Sequence, residues 1–352
     1  MILNILVLVV LTTSVVIVDA WGIAGHRATA AVARSLLTPA ARTAINAIVA
    51  IPFESHDTNP RRPARNYATF EDLAVWPDDV RRFVPLFRFA DRYHALNYDD
   101  DPTTHRCGAN VSASLPRECD GPNRKLCVVT AIDHFARELA AIIHRSSSPK
   151  FLHQQLQQQQ DKQVMRPPPP PIEAKYALAF LTHFIGDVHQ PLHVSGYKRG
   201  GQQMPVEFRN KKSHVSLHGV WDTLAPQLLI ARDYDGNELQ WHMDLERRAL
   251  VIVSQQQQQS LCDDGDKDPT ECFQQSIHLM GDDVRTSAET WARESEVLVC
   301  SVVYTDEIQP GAQTAGAYFD ASKEVISDQV AKASVRLAAV LNGIFTTSAH
   351  VV

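Results

Sequence analysis

The chain has 352 residues, of which 44% are hydrophobic and 21% charged, and a formal net charge of −6 at pH 7. A chain of this length buries a sizeable core, and its mild acidity excludes the broad basic face that captures duplex nucleic acid by displacing counterions. A phosphate-bearing substrate stays open, because bound metal can supply the local positive charge.

Residues 1–18 are apolar and lead into Val18-Asp19-Ala20, which reads as a secretory signal cleaved to leave Trp21 as the mature N-terminus. Cleavage changes the chemistry of Trp21. A free α-amino group, with a pKa of roughly 7.7 to 8.0, loses its proton near neutrality and joins its own carbonyl oxygen as a metal chelate. His26 in Gly22-Ile23-Ala24-Gly25-His26 stands ready to complete such a site. The plainer reading of the same residues is a signal followed by an ordinary amphipathic helix.

Helical periodicity then predicts helices over 24–49, re-capped at Thr38-Pro39, and over 67–83, 127–145, 173–190, 222–231, 240–257, 276–300 and 320–344. Pro149 follows the third, and Gln190-Pro191 stops the fourth. Met204 to His218 alternates around Arg209-Asn210-Lys211-Lys212 and reads as a small β-hairpin. The expectation is a mainly α protein in which residues 21–352 form one helical domain. Gln- and Pro-rich stretches near 149–171 and 255–275 read as low-complexity surface loops within it. Ser327 to Phe345 carries Asp328, Lys332 and Arg336, so it reads as a core-facing helix and not a membrane span.

Six cysteines behind a signal imply three disulfides and a secreted or lumenal location. The short spacings favour Cys119–Cys127 and Cys262–Cys272 as local loops, leaving Cys107 to reach Cys300. Asn110-Val111-Ser112 is a sequon suited to a glycosylated loop.

The 15 histidines are the chemical signal. With cysteine consumed by disulfides, zinc takes imidazole nitrogen and carboxylate oxygen. A His followed by an acid four positions on shares one helical face with it, as in His134/Glu138, His183/Asp187, His218/Asp222, His242/Glu246 and His278/Asp282. Chance supplies about two such pairs. Context selects among them. His183 and Asp187 sit on an apolar helix that Pro191 breaks, turning His193 back towards them, and His218 with Asp222 follows the hairpin beside Trp221. The other three pairs read as solvated faces, and His189 lies on the opposite side of its helix from Asp187. Two further segments, Val75-Trp76-Pro77-Asp78-Asp79-Val80-Arg81 and Tyr93-His94-Ala95-Leu96-Asn97, add acids and an imidazole. Their plain readings are a helix start and a hydrogen-bonded core histidine, and spacing does not choose between Asp78 and Asp79.

Trp21-Gly22 with Gly25-His26, Trp76-x-Asp78, His94 with Asn97, Cys127 to Ile132, His183-Phe184-Ile185-Gly186-Asp187 with Gln190-Pro191-Leu192-His193, Leu217-His218 with Trp221-Asp222, and Trp291-Ala292-x-Glu294-Ser295 occur in this order. Together they closely resemble the zinc-dependent single-strand nucleases, the class I nucleases of fungi, plants and protists, some called 3′-nucleotidases. The resemblance implies a helical fold of the zinc phospholipase C and class I nuclease type with three zinc ions. Asp78, His94, His183 and Asp187 would hold one; the Trp21 amino nitrogen and carbonyl oxygen, His26 and a bridging Asp187 the second; His193, His218 and Asp222 the third. It further implies hydrolysis of single-stranded DNA and RNA to 5′-nucleotides by zinc-activated water, and 3′-nucleotidase activity, with Asp78, Asp187 and Arg81 at the reaction centre. A monomer that forms no stable nucleic-acid complex and touches no membrane completes the expectation. Three positions depart from the pattern: Ala95 where an aromatic is usual, Gln202 after Gly200-Gly201, and Ser216 before Leu217. A zinc phospholipase C-like phosphodiesterase and a non-catalytic metal-binding secreted protein are the competing readings.

Overall fold

The computed structural model describes residues 21–53, 67–108, 119, 127–146, 172–209, 215–259 and 284–346. The expected signal, the Asn110 sequon, the Cys262–Cys272 pair, the stretch near 149–171 and residues 260–275 lie outside the described residues. Ten helices carry the fold among them: α1 (Gly22–Ser35), α2 (Pro39–Val49), α3 (Phe70–Leu73), α4 (Trp76–Phe83), α5 (Val128–Ser146), α6 (Ile172–Val188), α7 (Ala225–Asp233), α8 (Glu238–Gln259), α9 (Val284–Leu298) and α10 (Ala317–Thr346). One antiparallel hairpin pairs β1 (Pro205–Val206) with β2 (Val215–Ser216), in the register Pro205 to Ser216 and Val206 to Val215. The mainly α expectation with one small hairpin holds.

Helix α6 is central because it is apolar on nearly every side. Ala174, Ala177, Leu178, Phe180, Leu181, Phe184, Ile185 and Val188 are all buried, as in a helix surrounded by protein. It packs on α5, α10 and α1, and α10 in turn packs on α1 and α8. Two apolar cores result. The first gathers Trp76, Leu96, Phe135, Phe180, Phe184 and Val194. Trp21, Leu192, Leu217, Trp221, Trp241 and Phe319 make the second.

Three boundaries differ from periodicity for local reasons. The span 67–83 is two helices, because Thr69 caps α3 by accepting from the Asp72 N–H at 3.0 Å, and Pro77 then opens α4, where its missing N–H costs nothing. Helix α8 runs on to Gln259, past the expected end at 257 and into the stretch read as a loop, since glutamine is a good helix former. Asp222 precedes α7, in a wide turn over Val220–Leu224. The disulfides Cys107–Cys300 and Cys119–Cys127 are both formed. No helix among the described residues is long and apolar enough to cross a membrane.

Candidate metal centre

Helix α6 ends where Pro191 cannot continue it, and Gln190 shapes the turn that follows. The Gln190 Oε1 accepts from the Leu192 N–H at 2.6 Å, and Pro191–His193 closes one tight turn. This brings His193 beside the segment carrying His94: Leu96 N–H donates to the His193 carbonyl at 2.7 Å, and Tyr98 N–H to Val194 at 3.2 Å. From the other side α1 lays His26 over His183, their rings stacked with centroids 3.8 Å apart.

Three buried sets of side chains follow: His26 with His183 and Asp187; Asp78 with His94 and His183; His193 with His218 and Asp222. Asp187 stands between the first two, with Oδ1 3.3 Å from His26 Nε2 and Oδ2 2.9 Å from His94 Nδ1. His183 Nε2 lies 3.5 Å from Asp187 Oδ2 and 3.7 Å from Asp78 Oδ1. In the third set Asp222 Oδ1 is 3.7 Å from His193 Nε2 and Oδ2 is 2.9 Å from His218 Nε2. Tetrahedral ligands at roughly 2.0–2.1 Å from zinc stand roughly 3.3–3.4 Å apart, so these separations suit a shared ion.

The ring orientations are set from outside. Nδ1 of His183, His193 and His218 donates to the carbonyls of Ala74, His94 and Gly200, each at 2.7 Å. A carbonyl only accepts, so each Nδ1 carries a proton, and in the neutral ring each Nε2 then turns a lone pair inward, the arrangement of metal-ligating histidines. His183 Nε2 and His94 Nδ1 then face each other at 3.1 Å. Among the described residues, buried Asp78 Oδ2, Asp187 Oδ1 and His193 Nε2 have no hydrogen-bond partner. Atoms of this kind leave a cation to satisfy them.

Charge tells the same story. Burial pushes His94 and His183 well below the ordinary imidazole value, keeping them neutral and ligand-ready. Burial also pushes Asp187 well above the usual carboxylate range. For Asp78 burial acts the same way, but Arg81 overrides it and holds the acid ionised, with guanidinium contacts of 2.9 and 3.0 Å. Burial disfavours both charges of the His218–Asp222 pair, yet their mutual contact raises His218 and lowers Asp222.

Asp78 is thereby separated from its neighbour, for Asp79 accepts the Tyr67 hydroxyl at 2.7 Å. His189 stays outside all three sets, buried between the Ile185 carbonyl and Arg336. His134 is exposed. Trp21 is fully buried at the start of α1, and its carbonyl accepts from Gly25 N–H at 3.1 Å. Ser216 caps the turn bearing His218 by accepting from Gly219 N–H at 3.0 Å. Two contributions were not assigned from sequence. The Gln190 amide donates to Asp222 Oδ1, and Gly186 lets α6 approach His26, since a Cβ there would stand 2.8 Å from its Nδ1. A glutamine directly before a helix-ending proline and a glycine inside an apolar helix were the available signals.

A family model described as S1/P1 Nuclease matches residues 21–346. Among characterised proteins the chain is similar to Nuclease P1 of Penicillium citrinum, 26% identical over 335 residues that cover 92% of this chain and 97% of the relative. It is 24% identical to Nuclease S1 of Aspergillus oryzae over 326 residues, 92% of this chain and 91% of the relative. Endonuclease 1 of Arabidopsis thaliana is 24% identical over 340 residues, 96% of this chain and 91% of the relative.

Proposed function

The chain belongs to the S1/P1 nuclease family, and from that membership we propose that it is a secreted or lumenal zinc-dependent hydrolase that cleaves phosphodiester bonds of single-stranded DNA and RNA to 5′-nucleotides. Its companion activity is that of a 3′-nucleotidase. The carrying observation is the three adjoining buried sets of imidazole and carboxylate groups, with Asp187 between two of them. We assign Asp78, His94, His183 and Asp187 to one zinc ion, the Trp21 amino nitrogen and carbonyl oxygen, His26 and Asp187 to a second, and His193, His218 and Asp222 to the third.

Zinc bound there supplies an acidified water for attack on phosphorus and positive charge against the phosphoryl oxygens. The protein's part is orientation. Carbonyl acceptors on Ala74, His94 and Gly200 hold three Nε2 lone pairs inward, and Gln190 holds one oxygen of Asp222. Arg81 restrains Asp78 and presents a guanidinium that offsets negative charge in the substrate. The second assignment needs a free α-amino group at Trp21, so signal removal completes the site and the uncut chain is a poor enzyme. The formed disulfides support an oxidising compartment.

The test is metal analysis joined to assays on single-stranded DNA, RNA and 3′-AMP, for the mature chain and for a form with one residue added before Trp21. Three zinc ions and activity in the mature form, both reduced by the extension, are expected. Zinc binding without cleavage of any of the three substrates overturns the catalytic reading.

A further inference from the structure

The loop ahead of the hairpin bears two cations that the proposed chemistry does not use. Four consecutive residues there have positive φ: Lys198 at 50°, Arg199 at 55°, Gly200 at 59° and Gly201 at 75°. Glycine takes this conformation readily, whereas a side chain with a Cβ resists it. Lys198 and Arg199 are therefore held in place by their surroundings.

The holding groups are specific. Buried Asp100 accepts from the Ser195 hydroxyl at 2.5 Å and from the N–H groups of Gly196 and Tyr197 at 2.7 and 3.2 Å. Across the turn, Gln203 N–H donates to the Lys198 carbonyl at 3.0 Å, and a Cβ on Gly200 would stand 2.4 Å from the Leu192 carbonyl oxygen. The Gly200 carbonyl is the group that orients His218. Arg199 is thus one peptide bond from a residue that positions the third set.

Both side chains are exposed, and neither has a carboxylate partner among the described residues. Several other arginines are held by carboxylates: Arg81 by Asp78, Arg106 by Asp99 and Arg248 by Glu324. Lys198 Nζ instead lies 5.6 Å over the Tyr197 ring. A chain of net charge −6 has no general attraction for a polyanion. Two adjacent unpaired cations on an anchored turn beside the site give it a local one.

We propose that Lys198 and Arg199 form a handle for the backbone phosphate next to the scissile one, on the side of His193, His218 and Asp222. The handle rests on the nuclease reading and deepens it. Phosphate contacts position a strand without reading its bases, so the handle favours oligonucleotides over short substrates irrespective of sequence. A dinucleoside monophosphate has no second phosphate to offer.

The experiment measures kcat/KM on a single-stranded oligonucleotide and on a dinucleoside monophosphate for the mature zinc-loaded protein and its Lys198→Ala/Arg199→Ala variant, from about 50 to 200 mM salt. In the variant the oligonucleotide KM rises and the ratio of the two kcat/KM values falls roughly tenfold. The log–log salt slope also drops by about 0.7 for each phosphate no longer neutralised. An unchanged ratio and slope overturn the handle while leaving the nuclease reading intact. A parent protein that cleaves neither substrate sinks the nuclease reading, and the handle with it. If the alanine pair fails to fold, Lys198→Gln/Arg199→Gln carries the same comparison.

Discussion

Gly186 and His26 meet at an approach that a side chain would obstruct: a Cβ on Gly186 would stand 2.8 Å from His26 Nδ1. The same approach stacks His26 on His183 and places its Nε2 3.3 Å from Asp187. Gly186→Ala forces the His26 ring away, at a cost of about 1–3 kcal/mol in stability. Displacing a catalytic group by about 1 Å lowers activity roughly a hundredfold. The variant is expected to fold, to lose one zinc ion of the proposed three and to lose activity. Full zinc content at parental activity would show that the approach is incidental.

Asp187 and Asp222 are both buried acids beside imidazoles, yet only Asp187 stands between two sets. Asp187→Ala is therefore expected to lose two zinc ions and Asp222→Ala one, as read by elemental analysis after dialysis. Equal losses would contradict the bridging role. Both variants should lose nearly all activity.

Gln190 is fully buried, donating to Asp222 and accepting from the Leu192 N–H. Gln190→Ala strands both groups, costing about 1–3 kcal/mol. It also lets the Asp222 carboxylate turn, and losing an orienting partner of this kind weakens metal affinity about 10–100-fold. A zinc titration with a competing chelator should show the loss confined to one ion. Weakening of all three would mark Gln190 as a general stability residue.

Burial and then the adjacent Arg336 push His189 well below the ordinary imidazole value. The native chain keeps this ring neutral while the unfolded chain takes up a proton below about pH 6.5. The unfolded state then binds more protons, so the contribution of His189 is complete above that pH and is lost as pH falls, by up to about 1.4 kcal/mol per unit. With metal chelated throughout, urea midpoints at pH 7 and pH 5 should fall less for His189→Gln than for the parent chain. Identical falls would be evidence against a neutral His189.

Much of the centre is written in local sequence because its constraints are local. The four-residue spacing of His183/Asp187 and His218/Asp222 puts each pair on one face, and Pro191 ends α6 wherever that helix packs. Those facts selected His183, His193 and His218, periodicity along the chain gave the mainly α fold, and the spacing of Cys119 and Cys127 anticipated their bond. Contacts between distant segments decided the rest. Asp78 joins the site and Asp79 does not because Tyr67 claims Asp79 from outside α4. His193 faces inward because the His94 carbonyl takes its Nδ1 proton. Gly186 and Gln190 acquire their roles only when α1 and the Asp222 turn arrive beside them. A hydrogen bond or a close approach between remote residues leaves no period in the chain. Spacing therefore nominated His183, Asp187, His218 and Asp222, the ordered motifs added Trp21, His26, Asp78 and His94, and packing chose their partners.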